Sequence, residues 1–230
     1  MTDWRAWPET AEELIATQEA LARERPEPWR PPADLASLAV GACFICFERG
    51  TSGPGWAGER GWAAASLMRG DTSHTVSVEG RAPAPYRAGL LALREAPLLS
   101  SAVEALPDPP DVLVVDATGR DHPRRAGMAL HLGAALGLPS VGATHRTLIA
   151  HGEHPADERF GRSPILLDGE PVGTWLRTRA GTRPIAVHAA WRTDPDTAVA
   201  VVLATVRGVR TPEPLRLARQ AARLARARAA

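Results

Sequence analysis

The sequence of 230 residues is long enough to bury a sizeable core, and one α/β domain spanning residues 1–230 is the simplest interpretation. It contains no apolar run of membrane-spanning length and no signal-peptide pattern, and its two cysteines, Cys43 and Cys46, do not resemble a disulfide framework. We therefore expect a cytoplasmic protein. The formal net charge is +1, and all 27 basic residues are arginine, so any chemistry that requires a lysine side chain is excluded.

The first third of the chain predicts an arm, a helix and three antiparallel strands. Residues 1–9 form the N-terminal arm, and a capping box begins a helix at Thr10. The apolar run Leu38–Phe47 predicts a core strand, and Trp62–Arg69 and Thr75–Val78 predict two further strands. Together the three strands form a meander.

The middle of the chain alternates between helix and strand. Arg87–Arg94 and about Leu98–Leu106 predict two helices, and Val112–Val115, an unbroken run with β-branched residues, predicts a strand buried on both faces. Arg124–Leu136 predicts the next helix, and Ser140–Thr144 predicts the next strand. We therefore expect a mixed sheet with helices on both faces.

The last third predicts a hairpin, a strand and two helices. Pro164–Thr178 predicts the hairpin, which turns at Asp168-Gly169, and Pro184–Ala190 predicts the last strand. Asp194 caps a helix that runs to about Arg207. Residues 212–230 predict an arginine-rich helix. Two roles are equal alternatives for it: the helix contacts a nucleic-acid backbone, or it is a solvated basic tail.

The stretch Asp111–Arg125 contains the residue types of a reactive site. Asp116 follows the buried strand at its C-terminal end, where ligand crevices of open α/β sheets lie. Behind it come the titratable ring of His122 and the fixed charges of Arg124 and Arg125, a set that suits a metal-assisted phosphate site. The alternative, at about even odds on residue types alone, is that Asp116 caps a turn and the arginines are solvated.

The same stretch resembles the central motif of the endonuclease V family, an Asp-Gly-x-Gly turn that leads into His-Pro-Arg. Ala117 stands where that family usually has glycine. The resemblance covers almost the whole chain and implies an RNase H-like fold and metal-dependent cleavage of DNA or RNA one phosphodiester past a deaminated purine, chiefly inosine. The matching residues are Asp116, Gly119, His122, Pro123, Arg124, Arg125, Gly127, Ala129, His131 and Gly133.

The resemblance also implies roles for individual residues. Asp116 and Glu95 correspond to metal ligands, for a magnesium or manganese ion, and Pro85-Tyr86 resembles the wedge that inserts beside the flipped base. His145 stands where the family has its catalytic lysine, and we count it with Asp116 and Glu95 as catalytic. The expected substrate-binding residues are Tyr86, Gly119, His122, Arg124, Arg125 and Arg146.

Two further positions depart from the family. Aligned on Phe-Glu-x-Gly, the family's metal-binding aspartate falls on Phe44, which offers no ligand, and a functional histidine falls on Trp191. Three hypotheses stay open. The protein is a slow metal-dependent nuclease with a weakly held ion, a non-catalytic relative that binds DNA or RNA, or a site rebuilt for another small substrate with His145, His122 and Trp191 in new roles.

Overall fold

The structure, a computed structural model, describes residues 4–50 and 53–229. Within these ranges one mixed sheet of eight strands has the order β3-β2-β1-β4-β5-β8-β7-β6. The strands are β1 (Ala39–Phe47), β2 (Arg60–Arg69), β3 (Thr72–Arg81), β4 (Val112–Val115), β5 (Ser140–Thr144), β6 (Arg162–Leu167), β7 (Glu170–Leu176) and β8 (Ile185–Ala189).

The predicted meander and the alternation after it are confirmed. Strands β1, β2 and β3 pair antiparallel, and β1 then pairs with β4, and β4 with β5, in parallel. This is the RNase H-like order. Strand β4 is the fourth of the eight, and all four of its residues are buried, so Asp116 leaves the sheet near its centre.

Helices cover both faces of the sheet, as expected. Helices α1, α2 and α3 share one large apolar cluster with inward residues of β1, β2 and β4. Helices α4 and α5 pack on the opposite face, against a second set of side chains from the same strands. The helices are α1 (Ala11–Arg23), α2 (Leu91–Glu104), α3 (Met128–Leu136), α4 (Pro195–Thr205) and α5 (Glu213–Arg228).

The capping box at the start of α1 forms as predicted. The Thr10 hydroxyl accepts from the Glu13 amide, and the Glu13 carboxylate accepts from the Thr10 amide, so two amides of the first turn are satisfied. The predicted arm lies partly outside the described residues, at positions 1–3. Its described part packs on the core, where the Trp7 ring lies 4.8 Å from the ring of buried His131.

Two helix boundaries differ from the prediction. One helix, α2, replaces the two predicted between Arg87 and Leu106, and Pro97 lies inside it. Proline removes one backbone hydrogen bond, but buried Leu93 and Leu99 on either side hold the two halves against one core. Helix α3 begins at Met128 rather than Arg124, because Arg125 has a positive φ of 54° that no helix accommodates.

The last third of the chain matches its prediction. The β6–β7 hairpin turns at Asp168-Gly169, where both residues have positive φ. The Asp194 carboxylate accepts from the Thr197 amide at the start of α4. None of the helices in the described ranges combines the length and apolarity needed to cross a membrane.

Candidate active site

Two cavities meet where β4 ends. The large cavity, of about 560 Å³, opens between the loop that carries Tyr86 and the segment after β5. The carboxylate cavity, of about 240 Å³, lies between β1 and α2 and is lined by Glu95. Asp116, Leu91 and Met128 line both cavities, so the end of β4 forms their common wall.

Glu95 and Asp116 come together as the sequence predicts. Burial of Glu95, which lies on α2, raises its pKa to about 7, Arg94 acts to lower this pKa, and the charge of Asp116 raises it. Near neutral pH a proton therefore occupies part of the Glu95 population. A cation that approached the pair would have to displace this proton.

The residue of β1 that faces the two carboxylates differs from the expectation. Cys43 lines the carboxylate cavity together with both carboxylates: burial raises the pKa of its thiol far above the usual range, and Asp116 and Glu95 raise it further. Phe44 borders the cavity, but its ring turns to the α5 face, with the guanidinium carbons of Arg219 and Arg223 at 5.1 and 5.9 Å. Successive strand residues point to opposite faces, so Cys43, rather than Phe44, shares a face with Glu95.

Asp116 already has a cationic partner. An Arg219 nitrogen on α5 donates to its carboxylate at 2.8 Å, and both side chains are about one quarter exposed. This arginine lies 103 positions further along the chain, so no local sequence pattern predicts the contact. Its guanidinium neutralises a carboxylate that the family resemblance assigns to a metal.

The donor set fits a divalent ion only in part. Glu95 and Asp116 supply hard oxygen ligands, and magnesium often uses few protein ligands and keeps several waters. The protonated Cys43 thiol adds no hard ligand. Within the described ranges, no three His, Cys, Asp or Glu side chains are grouped closely enough to hold a metal.

Besides Asp116, the large cavity brings together four of the predicted residues: Tyr86, His122, His145 and Arg146. The Tyr86 side chain is 45% exposed on its rim. Burial lowers the pKa of His122 to about 4, so this ring is neutral at physiological pH and its Nδ1 accepts from the Arg124 amide. His145 is exposed, and partial desolvation, aided by the charge of Arg210, lowers its pKa.

Three other predicted substrate-binding residues have structural contacts instead. Arg124 donates to the side chain of Gln18 at 2.6 Å and to the Gly89 carbonyl at 2.9 Å, which ties α1 to the loop before α2. Arg125 pairs with both carboxylates of the β6–β7 turn. Gly119 is buried, and a Cβ there would come within 2.0 Å of the Ala189 carbonyl oxygen, so close packing rather than ligand contact requires glycine.

The remaining candidates lie outside both cavities. Trp191 is buried in the core beneath α3, where its amide donates to the Ser140 hydroxyl. Asp121, a further carboxylate of the segment after β4, is fully buried and accepts from the amides at positions 148, 149 and 150. Glu48, directly after β1, lines a separate cavity beside α5.

Two buried networks that the sequence did not reveal position the walls of the large cavity. Asp121 fixes the segment after β5 through its three amide bonds, and the ring of His188 bonds the Thr144 hydroxyl at 2.9 Å. Arg94 forms a buried ion pair with Glu59 and donates to the Ala84 carbonyl at 3.2 Å, next to the Tyr86 loop. These contacts join residues that are 10 to 44 positions apart in the sequence. Local sequence patterns therefore do not predict them.

The order of the sheet and the carboxylate after its central strand are those of the RNase H-like class of α/β proteins. A family model, Endonuclease V, matches residues 56–220, and the Endonuclease V of Streptomyces avermitilis is 36% identical over 218 residues, 92% of this chain and 90% of that protein. This chain therefore belongs to the endonuclease V family.

The solved structures agree with this assignment. A crystal structure of Endonuclease V from Streptomyces avermitilis has a TM-score of 0.85 at 33% identity and covers 97% of this chain and 96% of that one. A Ciona intestinalis Endonuclease V, in complex with a 24mer DNA containing an inosine followed by a ribo-adenosine, has a TM-score of 0.77 at 19% identity and covers 95% and 98%. The latter likeness concerns the fold alone.

Proposed function

We propose that this protein is an endonuclease V-type nuclease that binds DNA or RNA, recognises an inosine-like base in the large cavity, and cleaves slowly. The observation that carries the proposal is the position of Asp116, which forms the wall between a cavity of base-binding size and the cavity that holds Glu95. Ligand pockets typically measure about 300–1,000 Å³, and the large cavity falls within this range. Membership of the endonuclease V family supports nucleic acid as the ligand.

The rim and walls of the large cavity suit a nucleotide. Tyr86 presents an exposed ring for stacking against an unpaired base, a contact that tolerates any base identity. Neutral His122 offers an uncharged polar wall, and exposed Arg146 offers a guanidinium to a phosphate. Arg146 keeps its charge permanently, so it does not take the place of a proton-transferring lysine.

We propose that Glu95 and Asp116 hold a magnesium or manganese ion weakly. Bound there, the ion would activate water and stabilise charge on the phosphate. This chain's own residues oppose that binding in three ways: part of the Glu95 population carries a proton near neutral pH, Cys43 keeps its proton, and Arg219 neutralises Asp116. His145, exposed at the cavity mouth with a lowered pKa, is the group that takes up or delivers a proton there.

The second candidate function is nucleic-acid binding without cleavage. The Arg219–Asp116 ion pair favours it, because an internal guanidinium already satisfies one of the two carboxylates. The two candidates share the large cavity and the Tyr86 stack, and they differ only in turnover.

Tyr86→Ala tests the stacking that both candidates require. We expect the variant to bind an inosine-containing single strand more weakly by about 1–3 kcal/mol in fluorescence anisotropy. Phe160→Ala is the matched control, because Phe160 is also an exposed aromatic (40%) but lines neither cavity. Equal losses in both variants, or none, would contradict the assignment of the cavity.

A nicking assay on the same oligonucleotide, with magnesium and then manganese, separates the two candidates. Slow, metal-dependent cleavage beside the inosine is expected. Complete absence of cleavage with binding intact selects the binding-only function, and turnover typical of an efficient nuclease would show that the site is complete.

Three broader features belong to the same proposal. One domain comprises residues 1–230, because a single continuous sheet joins every strand of the described ranges. The described part of the arm and helix α5 are parts of this domain. The protein acts in the cytoplasm, in the repair of deaminated nucleic acid.

A further inference from the structure

A cavity of about 460 Å³ lies beside the C-terminal half of α5, between that helix and the adjoining ends of β1 and β2. We call it the arginine pocket. Among the described residues, Glu48 is its one acidic lining residue, and the buried Trp62 forms part of its wall. Its arginines are Arg49, Arg60, Arg223 and Arg226.

The positive charge of the arginine pocket is only partly neutralised. Arg60 is bound to Glu79 at 2.7 Å and approaches Glu48 at 4.0 Å, and Arg226 donates to a backbone carbonyl. Arg49 and Arg223 are exposed, and neither has a carboxylate partner within the described ranges. The pocket therefore keeps an excess of guanidinium charge.

Three of these arginines line the same cavity and lie in the neighbourhood of one side chain, that of Cys46. Burial raises the pKa of the Cys46 thiol, and Arg226, Arg223 and Arg49 each act to lower it, which places all three guanidinium groups near the same side chain. The C-terminus of α5 adds only about half a negative charge. Three full positive charges outweigh it, so the pocket favours an anion.

The arginine pocket continues the candidate active site. Arg219, Arg223 and Arg226 are spaced four and three residues apart and therefore share one face of α5. Arg219 contacts Asp116, and the Phe44 ring lies close to both Arg219 and Arg223. At 1.5 Å per residue, the line of arginines extends roughly 10 Å along the helix axis from Asp116 into the pocket.

We propose that the arginine pocket binds a backbone phosphate of the same nucleic-acid strand whose base occupies the large cavity. This proposal rests on the proposed function. Guanidinium groups pair with phosphate oxygens through two parallel hydrogen bonds, and the unpaired Arg49 and Arg223 are free to make them. A strand that fills only the large cavity does not reach the pocket, whereas a longer strand does.

Binding of a short and a long oligonucleotide tests the pocket. Both are single-stranded and carry one inosine, with lengths of roughly 2 and roughly 20 nucleotides, because one internucleotide step of about 3.4 Å in a stacked strand does not cover the distance to the pocket. Arg223→Gln is expected to weaken binding of the long strand roughly tenfold and to reduce the slope of log affinity against log salt by about 0.7, while binding of the short strand stays unchanged. Arg49→Gln, on the opposite wall, should reproduce this result.

Arg228→Gln is the matched control, because it removes one arginine from the same helix without touching the pocket lining. It should leave binding of the long strand within about twofold. Equal losses for Arg223→Gln and Arg228→Gln, or an equal loss on the short strand, overturn the pocket assignment alone. If the unaltered protein binds neither strand at low salt, the proposed function itself fails.

Discussion

At the scale of single residues, the identity of position 43 decides how well the carboxylate cavity holds a cation. Cys43→Asp places a hard oxygen ligand beside Glu95 and Asp116, and we expect it to tighten manganese binding in calorimetry about tenfold or more, about 1.4 kcal/mol. Without metal, three neighbouring carboxylates repel one another, so the variant should melt at a lower temperature than the parent and recover on adding manganese.

Phe44→Asp is the control for this prediction, since it makes the same chemical change one position along β1. Its side chain would face Arg219 and Arg223 on the α5 side, and metal affinity should stay at the level of the parent. Tighter metal binding by Phe44→Asp than by Cys43→Asp would show that Phe44, rather than Cys43, faces the carboxylates.

His131 should make the protein sensitive to acid. The side chain is 1% exposed, neither ring nitrogen has a hydrogen-bond partner among the described residues, and burial lowers its pKa to about 4. The unfolded chain has the higher pKa, about 6.5, and so binds more protons between these values. Stability from this group is therefore complete above about pH 6.5 and is lost as the pH falls toward 4.

His131→Leu removes this dependence. The difference in unfolding free energy between variant and parent should be about 2 kcal/mol more favourable to the variant at pH 5 than at pH 8. Urea denaturation at both pH values measures it. His74→Leu, at an exposed position of β3, is the matched control, and a similar pH-dependent gain there would argue against burial as the cause.

At the scale of elements, local patterns predicted the strand β4 and the carboxylate that follows it. The apolar run and its polar end are contained in five consecutive residues, so neither needs tertiary information. The inward-facing residue of β1 was missed because a shift of one residue exchanges the two faces of a strand. In β1 the α2 and α5 faces are both buried, so hydrophobicity alone did not fix the register.

The segment after β5 shows a second limit of local patterns. Asp121 reads as one more polar residue of a loop, yet its carboxylate organises three amides that lie 27 to 29 positions away. Only the packing of the loop after β4 against the segment after β5 brings these groups together. The direction of exposed His145 and Arg146 in the large cavity depends on this contact.

Asp121→Ala should loosen the wall of the large cavity. The change leaves three amides without their acceptor, each at a cost of about 1–3 kcal/mol if no water replaces it. We expect a loss of at least about 3 kcal/mol in unfolding free energy and faster amide exchange at Leu148, Ile149 and Ala150.

Asp168→Asn is the control for that experiment, because Asp168 also accepts from a distant partner, Arg125, but its side chain is 78% exposed, and asparagine tolerates the positive φ of this turn position. Exposed pairs contribute about 1 kcal/mol or less, so this variant should stay close to the parent. Similar losses at the two positions would contradict a special role for the buried carboxylate.

At the scale of the whole molecule, the net charge is only +1, but the charges are distributed very unevenly over the chain. Acidic residues offset arginines elsewhere, whereas α5 carries five arginines and one glutamate. The sequence showed this excess, but not which arginines are free. Of the five, Arg216 is paired with Glu213 and Arg219 with Asp116, and these pairings exist only in the folded chain.

The salt dependence of nucleic-acid binding follows from the free arginines rather than from the net charge. Exposed Arg87 and Arg146 border the large cavity, and Arg49, Arg223 and Arg226 border the arginine pocket. If each neutralises one phosphate of a single strand, log affinity should fall against log salt with a slope of about −3.5, at about −0.7 per phosphate. Binding set by the net charge alone would give a slope near −0.7. Fluorescence anisotropy of a labelled 20-nucleotide strand between roughly 50 and 300 mM potassium chloride measures the slope, and a value near zero would show that the arginines do not contact phosphates.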